Sequence, residues 1–314
     1  MKGLEYCRLY YEQVIRPALY ESYPELAPRI AAGLSGDGSE CFGFDDEISR
    51  DHDFFAMCCL WLDEDDFRTY GADLNQTLLS LPKSFMDLHV PENAVWRPER
   101  RGAMSIQRYC YQYMGVGGVP ESLDQWRRIP EHNLAAFSNG EIFEDPMGKY
   151  TSIREKILAH YPEDLRRGLI SGRCVKMAQS GQYNYVRCLQ RGEKVACSAA
   201  MAEFISEAIW MVYLLNKRYR PFYKWMHRGL PDLPILGNQT YVYTAHLVEP
   251  DVDERTKVRL IEEICTLVRA ELAEQGLSYS ESDFLVDHGE HVRLSLSEPA
   301  LREISPWAWS ECRP

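Results

Sequence analysis

The chain has 314 residues, 45% of them hydrophobic and 26% charged, a balance that suits one large or two ordinary folded cores and excludes a disordered or fibrous protein. Lys and Arg number 35 against 47 for Asp and Glu, a formal net charge of -12, and a surface of that sign argues against nucleic acid as the partner. The opening residues lack the apolar block of a secretory signal, and no unbroken run of about 18 apolar residues follows. The expectation is a cytoplasmic protein without a membrane span. Ten cysteines, none in a C-x-x-C pair, read as buried free thiols.

In chain order, Leu4 to Tyr23 carries apolar residues at helical spacing, with a kink or restart at Pro17. Ile30 to Leu34 reads as a strand, followed by a loop at Ser35-Gly36-Asp37-Gly38-Ser39. Phe54 to Leu62 is apolar on both faces and predicts a central, doubly covered strand. Asp66 to Leu81 reads as a helix, Ala103 to Tyr113 as a strand passing into a helix, and Gly140 to Asp145 as a short strand before a turn at Pro146-Met147-Gly148. Beyond residue 150 helices dominate: Ser152 to His160, Glu163 to Gln179, Ala196 to Arg218 and Asp253 to Gln275, the last with Val258, Ile261, Cys265, Val268 and Leu272 on one face and Gly276 as its stop. Val292 to Leu296 reads as a terminal strand or extended segment, and Asp287-His288-Gly289-Glu290-His291 before it as a solvated turn. The expected fold is an α/β (or α+β) domain with a small mixed sheet over residues 1–150, joined to a mainly α-helical, substrate-binding domain over 151–314.

Between Glu40 and Asp66 the chain carries ten acidic residues and one basic one, Arg50. Asp45, Asp46, Glu47 and Asp63 to Asp66 read as solvated acidic loops. Asp51 and Asp53 differ: two apart at the mouth of a strand, they share a face, with His52 on the other. Two like charges so close call for a shared cation, and paired carboxylates suit Mg²⁺ that also takes phosphate oxygens. Gly38-Ser39, 12 residues before Asp51, offers backbone N–H groups and a hydroxyl to a phosphate. Gly181-Gln182-Tyr183-Asn184-Tyr185-Val186-Arg187, between predicted helices, suits hydrogen bonding to a nucleotide or acceptor. In Tyr219 to Trp225, Lys224 is a cation for a triphosphate, set against the plainer reading of a snorkelling lysine.

Gly38-Ser39 followed by Asp51-x-Asp53 on a strand resembles the signature of the polymerase-β-like nucleotidyltransferase superfamily. Gly36 to Glu40, Gly43 to Glu47, Ser49 to Asp53, Trp126 with Ile129-Pro130-Glu131, Asn139-Gly140 with Phe143 and Asp145, Tyr161 to Asp164, Gly181 to Tyr185 with Arg187, and Tyr219 to Trp225 are similar to a bacterial group within it, over the chain up to about residue 235. The resemblance implies transfer of a nucleoside monophosphate, AMP from ATP or another NTP, onto a hydroxyl of a small molecule, with two Mg²⁺ (or Mn²⁺) ions on Asp51 and Asp53. Gly38, Ser39, Lys224 and Arg187 would hold the nucleotide in a cleft between the domains, and Gln182, Asn184 and Tyr223 the acceptor. A third carboxylate is expected near Met104-Ser105-Ile106-Gln107, where Gln107 stands; Asp145, Glu141 and Glu99 are its substitutes. Transfer onto a protein side chain, and a nucleotide-binding regulatory module that has lost turnover, are the alternatives. The acceptor, the base and the oligomeric state are left open.

Overall fold

In the computed structural model, which describes residues 1–50, 56–82, 85–86 and 100–312, the chain forms two compact units. One comprises Met1–Gln125 with His132–Ala159, the other Trp126–Glu131 with His160–Pro314. The sheet-bearing unit thus runs past residue 150, and the short segment Trp126–Glu131 counts with the helical one.

The first unit opens with α1 (Gly3–Tyr10), a π-helical turn at Tyr11–Ile15, and α2 (Arg16–Ser22). Ile15 and Arg16 both keep helical dihedrals, so the helix runs on without a restart, and Pro17 follows directly on the π-helical turn, the local irregularity that its missing N–H calls for. Strands β1 (Ala31–Leu34) and β2 (Cys59–Leu62) follow, then α3 (Glu64–Ser80), β3 (Ala103–Ser105), α4 (Ile106–Met114), α5 (Leu123–Arg128), α6 (Glu131–Ser138), β4 (Glu141–Glu144) and α7 (Lys149–Leu158). The sheet order is β3-β2-β1-β4. β1 is antiparallel to both β2 and β4, and β2 is parallel to β3. All four residues of β2 are buried, as an apolar run on both faces requires. It is shorter than its sequence suggests: Ala56 to Cys58 are not strand, and Phe54 and Phe55 lie outside the described residues.

The second unit contains α8 (Glu163–Met177), a π-helical segment at Ala178–Tyr185, α9 (Val186–Arg191), α10 (Lys194–Leu215), α11 (Tyr223–Met226), α12 (Gly237–Val248), α13 (Glu254–Glu274), α14 (Leu285–Leu294), α15 (Pro299–Arg302) and α16 (Pro306–Ser310). Helix α8 is its axis. Gly168 and Gly172, one turn apart, leave a groove for Trp309 of α16: a Cβ at either would stand 2.5 Å from Trp309 atoms. Helix α13 is capped by Asp253, whose carboxylate accepts from the N–H groups of Arg255 and Thr256. Helix α10 has the length and apolar composition to cross a membrane, and 50% of its most apolar stretch is buried within the fold.

Three sequence expectations are corrected here. Asp287 to His291 is not a turn and Val292 to Leu296 is not a strand, because both fall in or next to α14. Leu285, His288, Gly289 and Val292 are its buried residues, a helical period that prevails over the short alternation Val-Arg-Leu-Ser-Leu. Gly181 to Arg187 does not separate two helices either; it continues from α8 through the π-helical segment into α9. Finally, Asp45 is buried, its carboxylate accepting the Gly3 N–H at 2.9 Å and pairing with Lys2. The acids Glu64, Asp65 and Asp66 occupy the first turn of α3, where the helix dipole favours negative charge.

Candidate functional site

The chain leaves β1 at Leu34 and enters the loop Ser35 to Ser39. Ser35 is buried, with its hydroxyl 2.6 Å from the Tyr109 hydroxyl and 3.2 Å from that of Tyr150. Gly36 has φ +137°, a backbone state open to glycine. Its N–H donates to Asn139 Oδ1 at 3.0 Å, and its carbonyl accepts from Asn139 Nδ2 at 2.8 Å. Gly140 next to that asparagine has φ +62° and comes so close that a Cβ would stand 1.9 Å from the Leu34 carbonyl oxygen. Its N–H donates to the Cys41 carbonyl. Gly38 then leads into a 3₁₀ turn at Ser39–Phe42. The Asn139-Gly140 pair at the entry to β4 therefore fixes the glycine loop from the neighbouring strand.

Strand pairing decides which other residues reach this end of the sheet. Gly33 faces Cys59, and Leu60 faces Ala103, so the starts of β2 and β3 lie beside the end of β1. Leu34 faces Glu141, which brings the start of β4 there too. Among the described residues this end holds the ion pairs of Arg101 with the buried Glu40 and of Arg8 with Glu141. Thiols of Cys7 and Cys59 lie in the same core, pushed up by burial to about 11 and about 12, so they stay neutral. Asp51, Asp53, His52 and Glu99 lie outside the described residues.

Gln107 lies elsewhere. β3 ends at Ser105, which caps α4 by accepting the Arg108 N–H, and Gln107 falls in the first turn of that helix, beyond the carboxyl end of β3. Because β3 runs parallel to β2, that is the end of the sheet opposite the glycine loop. Asp145 follows β4 at the same far end, and its carboxylate accepts the N–H and hydroxyl of Thr151 at 2.8 and 2.7 Å. Among the described candidates Glu141 stands at the loop end. Strand direction, a property of pairing and not of the run itself, is what sends Gln107 and Asp145 to that far end.

In the helical unit, the Gln182 amide donates to Glu262 at 2.8 Å and to the Asp283 carbonyl at 2.9 Å, and accepts from the Leu285 N–H. It joins three segments. Asn184 is half-buried, and Tyr183, Arg187, Tyr223 and Lys224 are exposed. Arg187 lies 4.8 Å from the Tyr183 ring and Lys224 5.0 Å from that of Trp225. Sequence reasoning missed a buried polar network here. Arg173 pairs with Glu207 at 3.0 Å, both fully enclosed, and the guanidinium groups of Arg173 and Arg220 lie 3.8 and 4.1 Å from the Trp210 ring. Glu131 is 3.8 Å from Arg220; burial outweighs that cation and pushes its carboxyl up to about 7. His160 stacks on Tyr219 at 4.7 Å and is lowered by burial to about 3. The members come from α6, α8, α10 and the segments at His160 and Tyr219-Arg220, far apart in sequence, so only Ile129-Pro130-Glu131 and Tyr219-Arg220 hinted at them.

A family model described as a domain of unknown function (DUF4037) matches residues 126–226, a segment that contains this whole network. Among solved structures the chain is similar to a nucleotidyltransferase-like protein from Exiguobacterium sibiricum 255-15, with 11% identity, a TM-score of 0.36, and coverage of 83% of this chain and 77% of that one. No curated protein matches the sequence.

Proposed function

We propose that the protein is a nucleotidyltransferase that moves a nucleoside monophosphate, AMP from ATP, onto a hydroxyl of a small molecule. The observation that carries the reading is the clasped glycine loop at the end of β1, beside the starts of β2, β3 and β4. Asp51-x-Asp53 lies in the stretch of sequence between that loop and β2. Backbone N–H groups of Gly38 and Ser39, with the Ser39 hydroxyl, are the donors for phosphate oxygens. Asp51 and Asp53 supply hard carboxylate oxygens of the kind that bind Mg²⁺ or Mn²⁺. Bound there, such ions would neutralise charge on the transferred phosphoryl group. Glu141, released from Arg8, is our candidate for the base that takes the acceptor's proton.

A cationic or neutral acceptor suits a protein of net charge -12. The test is equilibrium binding of each NTP with and without Mg²⁺, followed by pyrophosphate release over a panel of hydroxyl-bearing acceptors, including protein side chains. Mg²⁺-dependent NTP binding with acceptor-dependent pyrophosphate release is expected. Binding without release across the panel would favour a regulatory module, and no NTP binding would sink the reading.

A further inference from the structure

The first unit holds a cavity of about 470 Å³ lined by Asp63, Ile106, Gln107, Gly117, Met147, Gly148, Lys149, Ser152 and Ile153. It lies past the carboxyl ends of the parallel pair β2 and β3, since Asp63 follows the one and Ile106 and Gln107 the other. That is the end of the sheet away from the glycine loop. In open α/β sheets the crevice outside the carboxyl ends of strands is a general place for ligands, because helices starting there have first-turn N–H groups without intrahelical partners.

The polar lining carries both signs of charge. Lys149 pairs with Asp63, their side chains 48% and 40% exposed, and an exposed pair contributes so little that a ligand offering each a partner displaces it readily. The Gln107 amide both donates and accepts, and Ser152 adds a hydroxyl. Ile106, Met147 and Ile153 give the lining its apolar share. A plain anion would meet the Asp63 carboxylate, and a plain cation would meet Lys149. A molecule bearing both charges would satisfy both.

We propose that this cavity binds a small zwitterion of the α-amino-acid type, its carboxylate toward Lys149 and its ammonium toward Asp63. The inference does not rest on nucleotidyl transfer; it assigns a second site at the opposite end of the sheet. Isothermal titration of the full chain with the common α-amino acids tests it, followed by the decarboxylated and deaminated counterparts of any that bind. At least one amino acid is expected to bind with Kd below about 1 mM, and both of its counterparts about tenfold more weakly. Lys149→Met and Asp63→Asn should each cost about tenfold in affinity, whereas Lys156→Met, an exposed position in the last turn of α7, should cost nothing. Failure of every amino acid to bind in that range overturns the proposal. So does a deaminated acid that binds as tightly as its parent, or binding that survives both substitutions in the cavity.

Discussion

Asn139 holds Gly36 by both of its backbone polar groups, accepting from the N–H at 3.0 Å and donating to the carbonyl at 2.8 Å. A planar amide is the side chain that can do both at once. Asn139→Asp keeps the size and the acceptor but loses the donor, and sets a carboxylate against the Gly36 carbonyl. The expected cost is about 1–3 kcal/mol in urea unfolding, together with a fall in NTP affinity of about tenfold or more. Unchanged NTP affinity in a destabilised Asn139→Asp protein would leave the clasp a purely structural device.

Asp51→Asn and Asp53→Asn should each abolish the divalent-dependent part of NTP binding and the release of pyrophosphate, with the fold intact by circular dichroism. Relief of repulsion between two neighbouring carboxylates is expected to leave the metal-free melting temperature equal to or above that of the native chain. If Asp51→Asn kept Mg²⁺-dependent binding and full turnover, the assigned metal site would be wrong.

Gln107 and Glu141 give opposite expectations because they stand at opposite ends of the sheet. Gln107→Glu should leave pyrophosphate release unchanged. Glu141→Gln should lower it by roughly a hundred- to ten-thousandfold, the usual contribution of a general base. Activity that appears only in Gln107→Glu would favour a defective site and return the third carboxylate to that position.

The pH dependence of stability should carry the mark of Glu131. Its carboxyl holds a proton up to about pH 7 when folded, against an ordinary value of 4.5. Between these values the folded state binds the extra proton, so its contribution to stability is full below 4.5 and lost as pH rises through about 7. Glu131→Gln should flatten that slope in thermal melts across the window, while the opposing effect of His160, whose contribution is present above 6.5 and lost as pH falls toward about 3, persists in both proteins. Parallel pH profiles for native and variant chains would remove Glu131 from this account.

The element pattern of this protein was legible in its sequence because it rests on local periodicity. The irregularity before Pro17, the buried run of β2, the passage from β3 into α4 and the amphipathic face of α13 each follow from residues close together in the chain. A sheet-bearing half joined to a helical region followed from the order of those signals. The exceptions, α14 read as turn and strand and the π-helical segment at Gly181 read as a break between helices, are places where packing against α8 or continuity of the helix overrode short-range cues. The candidate site divided in the same way. That Gly36 to Ser39 forms a tight loop is local chemistry; that Asn139, 103 residues further on, fixes it is not. Nor could the chain alone tell that β3 runs parallel to β2, which sends Gln107 and Asp145 to one end and Glu141 to the other. Strand direction, the enclosure of Glu131 and the meeting of Asp63 with Lys149 all depend on contacts between distant segments, and those are settled only when the whole chain has packed.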